Sequence, residues 1–397
     1  VSYIENPNRY EGSDAQRIQQ AVDAAATSSG RVVIPRENEG KDAGDKFLWL
    51  LDEAVRLPSN ITVELDGCHI KLSDRCRDNF FRSGNSGIGI TQIEPLENIH
   101  LIGRGNAVLE GADHPRATGD SAKVLGEHAY GTDTGVEGEA QNGDWRNIGV
   151  LLASVTNFSI QNIHIVDPHC WAISLEYCSH GTLRDLSFNS TSYKIIDGEN
   201  VLMRNQDGID LRQGCHDILI ENISGQTGDD LIALTAIFHA DRQAGSTKST
   251  MISAGRENEG EFPGIHNVII RNVRGHCAGG HNIVRLLNTK GLPMDNIVID
   301  GVVDTSAAPY QSKAAVKIGD CFPNYGGINP LGTTSRLLVS NVVSRAKFAV
   351  LIGGSLCDSV ISNVLQNGGE NDPVYFESGA ENISNVTVSN VHRFNRG

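Results

Sequence analysis

The chain has 397 residues, 39% of them hydrophobic and 20% charged, with a formal net charge of −15. An acidic excess of this size argues against nucleic acid as a partner, although a negative whole can still hold a local basic pocket. The apolar residues come in short runs that never approach the length of a membrane span, and no signal peptide is seen at Val1, as expected of a processed chain.

The first periodic segment is Ser13 to Ala25, where Ser13 is placed as an N-cap and Ile18, Val22 and Ala25 share one helical face. A helix there, within a cap of about residues 1–30, would close the open end of whatever follows. Arg31-Val32-Val33-Ile34-Pro35 and Ile61-Thr62-Val63-Glu64-Leu65 then read as strands. Beyond them a phrase recurs: Phe158-Ser159-Ile160-Gln161-Asn162-Ile163, Ile218-Leu219-Ile220-Glu221-Asn222-Ile223, Val268-Ile269-Ile270-Arg271-Asn272-Val273, Leu337-Leu338-Val339-Ser340-Asn341-Val342 and Val386-Thr387-Val388-Ser389-Asn390-Val391. Weaker copies lie at Leu183, Ile297 and Val360.

Neighbouring copies are from 22 residues (Asn341 to Asn363) to 50 residues (Asn222 to Asn272) apart, the signature of a solenoid with loops of variable length. The unit is too short for a crossover helix and is rich in Val and Ile at period two, which predicts coiled parallel strands stacked at ~4.8 Å. The recurring asparagine fits a turn where its amide bonds to the next coil. A solenoid grows by adding coils, so residues 1–397 are read as a single all-β unit with an N-terminal capping helix.

The eight cysteines lack the C-x-x-C pairs of a zinc site. Most read as small buried residues, with Cys68–Cys76 and Cys170–Cys178 as the spacings that suit a disulfide in an oxidising compartment. The Asn-x-Ser/Thr matches at Asn60, Asn157 and Asn382 fall inside the repeat and read as repeat chemistry rather than glycosylation.

One stretch departs from plain repeat chemistry. Asn205-Gln206-Asp207-Gly208-Ile209-Asp210 is followed, 22 positions after Asp207, by Gly228-Asp229-Asp230. Stacked carboxylates cannot all ionise cheaply, so one is expected to keep its proton as a general acid while the others activate water, the division of labour needed to hydrolyse a glycosidic bond. Aligning the two segments sets Asp207 opposite Asp229 and Gly208 opposite Asp230. This predicts an open pocket at Gly208, with Asp207 and Asp229 in the turn before the strand. Asp229 is the expected acid, Asp207 and Asp230 the expected holders of water, and Asp210 a surface or structural residue.

These segments, together with Asp167-Pro168-His169-Cys170-Trp171 and the early Asp14-x-x-Arg17-Ile18-x-x-Ala21-Val22, resemble glycoside hydrolase family 28, the polygalacturonases and related pectin hydrolases. The likeness in order and spacing runs from about Gly12 to Val302. It implies a right-handed parallel β-helix and hydrolysis with inversion, the first Asp of the Asp-Asp pair being the acid and the other two aspartates holding the attacking water. Polygalacturonases also carry a Gly-His-Gly and, on the next coil, an Arg-Ile-Lys that binds the uronate carboxylate. This chain has no Gly-His-Gly, and His239 and His281 are rivals for the histidine's place. Val284-Arg285-Leu286 keeps the arginine, with Lys290 as the next lysine, and strand alternation leaves open where Arg285 points. Inserts at Gly126–Trp145, Ala236–Gly264 and Ala307–Gly332 would wall the groove and favour exo-action or a branched substrate.

The reading is an inverting glycosidase acting on a pectic poly- or oligosaccharide, secreted or periplasmic, with no cofactor, metal or membrane partner. Two other classes stay open. A β-helix lyase or epimerase would use the aspartates to hold Ca²⁺, and a non-catalytic adhesin or tailspike-like module would need none of them.

Overall fold

In a computed structural model the described residues are 4–40, 44–76, 78–86, 93–115, 123–124, 140–141, 145–236, 262–289, 291–307, 312–323, 326–367 and 371–394. The expected helix is present at Asp14–Ala26. Ser13 caps it reciprocally: Gln16 N donates to Ser13 Oγ and Ser13 N to Gln16 Oε1. Ile18, Ala21, Val22 and Ala25 are buried in the core. On another face, buried Asp14 accepts from Arg17 at 3.0 Å, Asn38 at 2.8 Å and Leu50 N at 2.8 Å, which bolts the helix to the strand Leu48–Leu51.

The rest is a right-handed parallel β-helix, the hand that parallel crossovers take almost without exception. One sheet follows the repeated phrase through Val155–Gln161, Ser179–Asn189, His216–Thr227, Ile265–Cys277 and onward to Ile383–Phe394, every neighbour parallel. The opposite sheet stacks shorter strands, among them Ile173–Glu176, Ile209–Arg212, Ile232–Ala236, Asn282–Asn288, Ala314–Ile318 and Phe348–Ile352. A continuous apolar core from Ala15 to Val364 fills the space between the sheets.

Each long strand is punctuated by residues in the left-handed region, where asparagine is tolerated best among residues with a Cβ. Asn162, Asn222, Asn272, Asn341, Asn363 and Asn390 all have φ between 51° and 58°. Their amides bond coil to coil, Asn222 to Asp185 at 2.9 Å, Asn272 to Asn222 at 3.2 Å and Asn390 to Asn363 at 2.6 Å. A second ladder lies at the start of each phrase, where Asn98 donates to Asn60 and Asn157 to Asn98. Two of the Asn-x-Ser/Thr matches are therefore rungs of this ladder.

The disulfide expectation is corrected: all eight cysteines are free, and Cys68, Cys76, Cys170 and Cys178 are buried. Cys178 Sγ donates to the carbonyls of Leu152 and Glu176, and burial pushes its thiol up to about 12. They behave as small core residues. No helix among the described residues is long and apolar enough to cross a membrane.

Candidate active site

The outer side of the short-strand sheet carries a cleft of about 900 Å³. One wall is a β-hairpin, Tyr193–Ile196 with Glu199–Leu202, which pairs only with itself; Tyr193 and Leu202 line the cleft. The floor is the outward row of in-register strands, Asp210, Ala233, Arg285 and Lys317 on four successive coils.

The pairing of the two acidic segments differs by one residue from the motif alignment. Ile209 pairs with Ile232 and Leu211 with Leu234, because Ile209, Leu211, Ile232 and Leu234 supply the core face. Asp207 thus lies level with Asp230, and Asp229 N donates to Gln206 O at 3.1 Å. A one-residue slip exchanges the faces of a strand, and the expectation for Gly208 falls with it. Gly208 opens no pocket: a Cβ there would sit 2.4 Å from the Leu231 carbonyl oxygen, so the glycine permits close approach of the coils. Asp210, expected as a surface or structural residue, is buried to 1% exposure on the outward row and lines the cleft, which removes the surface alternative.

Asp207, Asp229 and Asp230 all lie just before the regular strands and converge, with one oxygen of each within 4.8 Å of the others. Their surroundings differ. Asp230 Oδ1 accepts from Asn282 N at 2.7 Å and Asn282 Nδ2 at 2.8 Å, and Oδ2 faces Arg285 at 3.4 Å, so both oxygens are held. Asp229 is more open, its side chain 20% exposed, with Oδ1 taking the Asp230 amide at 2.9 Å and lying 3.3 Å from His281 Nδ1. Burial and the charge of Asp230 raise its carboxyl to about 6, against the pull of His281 and Arg285. Asp207 is raised well above the usual carboxylate range, chiefly by burial and then by Asp210, Asp229 and Asp230. Its Oδ1 is buried with no hydrogen-bond partner among the described residues. The expectation that Asp207 stays ionised beside a protonated Asp229 is not met by the protein groups alone. Such a trio can hold a proton, a water or a divalent cation between its oxygens.

Arg285 points into the cleft, held between Asp230 and Asp320 Oδ2 at 3.3 Å. Lys317, directly beside it on the next coil, pairs with the same Asp320. Burial works against the Asp320 charge, but the Lys317 hydrogen bond and the positive charges of Lys317 and Arg285 outweigh it and hold the carboxyl low. A lysine thus stands beside Arg285 on the neighbouring coil, where none follows it closely in sequence. Its signal was a single charge inside the apolar run Ala314-Ala315-Val316-Lys317-Ile318. Of the rival histidines, His281 reaches Asp229, while His239 and Lys290 lie outside the described residues, as do most residues of the inserts Gly126–Trp145 and Ala236–Gly264; Ala307–Gly332 is largely described and is corrected in part, since it holds the sheet strand Ala314–Ile318. Trp171 lines the cleft with the Arg212 guanidinium 4.5 Å from its ring. Asn282, Asp320 and Phe322 carried no sequence signal of their own.

The model of the glycosyl hydrolases of family 28 matches residues 129–240, the segment that holds the three aspartates. Comparison with curated proteins finds no match. Among solved structures, the chain is similar to an exopolygalacturonase from Thermotoga maritima, at 15% identity and TM-score 0.53, with 99% of this chain and 93% of that one covered. It is similar to a polygalacturonase from Erwinia carotovora at 12% identity and TM-score 0.50, covering 97% and 94%. A tailspike protein mutant of E. coli bacteriophage HK620 matches at 12% identity and TM-score 0.55, with 97% of this chain but 59% of that one covered. At these identities the structural likenesses establish the β-helix fold.

Proposed function

From this kinship with glycosyl hydrolases of family 28, we propose that the chain is an inverting glycosidase acting as one unit on a pectic, galacturonate-containing poly- or oligosaccharide, in a secreted or periplasmic setting. The observation that carries the reading is the convergence of three carboxylates from two coils in one cleft, each in a different environment. Asp229, raised to about 6 and partly open to the cleft, donates its proton to the leaving glycosidic oxygen. A water between Asp207 and Asp230 attacks the anomeric carbon from the opposite face. That water supplies the hydrogen bond that Asp207 Oδ1 lacks, which favours the charged form of Asp207 and lets it act as the base. Sugar binding strips water from Asp229 and favours its neutral form, so the two aspartates separate in the complex as they do not in the free protein.

The nearest oxygens, within 4.8 Å, are closer than the ~6.5–9.5 Å between carboxyl groups of most inverting enzymes and nearer the ~5–5.5 Å of retaining ones. Nearest-oxygen distances are a lower bound on carboxyl separation. The hydrogen bonding supports inversion, because Asp230 has both oxygens engaged and is poorly placed to be a nucleophile. The acidic substrate is supported by charge. In a protein of net charge −15, five basic side chains (Arg204, Arg212, Arg285, Lys313 and Lys317) line this cleft beside five aspartates, two of which are raised. Reducing ends released from polygalacturonate, but not from neutral galactan, are expected from the purified protein. Release from galactan alone would remove the pectic assignment, and an unsaturated, ultraviolet-absorbing product would replace hydrolysis by elimination.

A further inference from the structure

The hairpin that walls the cleft is only lightly attached to the solenoid. Among the described residues it pairs with itself alone, and of residues 193–202 only Ile196 is buried. Its base is secure: Ser192 N–H donates to Gln206 Oε1 at 3.1 Å, Ser192 Oγ to the Gly228 carbonyl at 2.6 Å and Met203 N–H to the Ser192 carbonyl at 2.7 Å. Its outer part is tied by polar contacts. Asp197 Oδ1, at the tip, lies 2.9 Å from Nε2 of His114, 83 residues earlier in the chain, and Lys194 lies 3.8 Å from Asp167.

His114 is itself fixed on its other side. Its backbone N–H donates to Asp74 Oδ1 at 2.8 Å, and its Nδ1 lies 2.9 Å from Asp74 Oδ2. Both ring nitrogens therefore face carboxylate oxygens, which accept and do not donate. A neutral imidazole carries one N–H and one acceptor nitrogen, so it makes one of these contacts and turns a lone pair against the charge of the other. Only the imidazolium makes both. The hydrogen bonds and negative charges of Asp197 and Asp74 accordingly raise the His114 ring above its ordinary value. The neighbouring charges are engaged elsewhere: Asp113 and Glu110 with Lys71, Glu110 also with His69, Arg75 with Asp52 and Asp167 with Lys194. Burial raises Asp167 against the pull of Lys194, and it gains its proton as pH falls, so that tie loosens in the opposite sense.

We propose that His114 is a positioning residue of the cleft: as an imidazolium it pins the tip of the hairpin wall, and it frees the tip when the ring gives up a proton. Tyr193 and Leu202, paired across this hairpin, line the cleft. A pinned hairpin holds them in place, whereas a freed one must be ordered again by each substrate, which raises KM without touching the three aspartates. The hold is full below the ordinary histidine value and is lost as pH rises through the raised one. It therefore operates over the acid range in which Asp229 keeps its proton. The effect on KM rests on the hydrolase reading, whereas the tie between His114 and the hairpin does not.

The test is hydrogen exchange at the amides of residues 193–202 in wild type and His114→Gln from about pH 5 to about pH 9, with the intrinsic exchange rate at each pH divided out. The His114 side chain is 38% exposed, so the effect is that of a surface ion pair: wild-type protection is expected to fall roughly threefold as His114 titrates, and protection in His114→Gln to be low and independent of pH. Histidine ¹⁵N spectra, assigned by the signal lost in the variant, are expected to show two N–H groups on His114 and a midpoint above the ordinary ~6.5. Asp197→Asn, which keeps a residue suited to its positive φ of 50°, is expected to lower that midpoint. On polygalacturonate at about pH 5, His114→Gln is expected to raise KM roughly threefold with kcat within about twofold, and to match wild type above the titration. The same pH trend of protection in both proteins, or a His114 midpoint at or below ~6.5, overturns the proposal. A hairpin that loosens while KM stays unmoved overturns the positioning role. If the hairpin responds as expected and no polymer is cleaved, only the hydrolase reading fails, and if polymer is cleaved while the hairpin ignores His114, only this proposal fails.

Discussion

Two polar ladders run along the same solenoid and use the same stacking. In the asparagine ladder, neutral amides on successive coils donate and accept in turn, as from Asn272 to Asn222 and from Asn222 to Asp185, and each rung is satisfied on an exposed edge. In the cleft, Asp207 and Asp230 stack at the same coil spacing with Asp210 and Asp229 beside them. There, burial and like charge raise Asp207 and Asp229 and leave Asp207 Oδ1 without a partner. Identical backbone geometry thus yields either a structural seam or a reactive site, according to whether the stacked groups can pair with one another. Natural proteins commonly tolerate such frustration only where function uses it.

The comparison predicts opposite consequences for changes in the two ladders. Asp229→Asn removes the proton donor and is expected to lower kcat by ~10²–10⁴-fold, the usual contribution of general acid catalysis, with folding intact. Activity above a tenth of wild type would remove Asp229 as the acid. Asp207→Asn should likewise abolish turnover, yet raise stability by ~0.5–2 kcal/mol at neutral pH, because it relieves like-charge repulsion in a buried group. Urea unfolding measures this, and a destabilised variant would show that Asp207 is paired in a way the ladder comparison denies. Asn272→Ala should cost about 2 kcal/mol, from one rung's hydrogen bond and the strain of an alanine at φ 55°, and leave kcat unchanged.

A pH series sharpens the contrast. Asp229 has a folded value near 6, above its unfolded value, so the folded state binds more protons between about pH 4 and 6. Its contribution to stability is fully present below about pH 4 and is lost as pH rises through 6. Asp229→Asn is therefore expected to be more stable than wild type at pH 7, with the advantage vanishing by about pH 4. An advantage independent of pH would contradict the raised carboxyl. Taking the difference between variants cancels groups of opposite sign such as Glu64 and Asp320, whose carboxyls are lowered.

Much of this was legible in the sequence, for physical reasons. The helix announced itself through Ser13 and the spacing of Ile18, Val22 and Ala25, and the coils through alternating Val and Ile ended by asparagine. The three aspartates could be brought to one place because neighbouring coils stack in register. What failed was the last residue of that register. Matching Asp207 to Asp229 by motif ignored that the core face is set by Ile232 and Leu234, and so it misjudged Gly208. Lys317, Asp320 and Asn282 were missed because they come from coils 72 to 110 residues past the Asp-Gly-Ile-Asp segment, with loop lengths that no periodicity predicts. Cysteine spacing misled for a similar reason: Cys170 and Cys178, close in sequence, are placed in separate core contacts by the coil.

The division of roles among the three carboxylates is tested most directly by ¹H NMR of the first product formed from an oligogalacturonide, before mutarotation blurs it. Asp229 as acid with a water held by Asp207 and Asp230 predicts a first-formed anomer of inverted configuration. A retained anomer would make one aspartate a nucleophile and contradict the account.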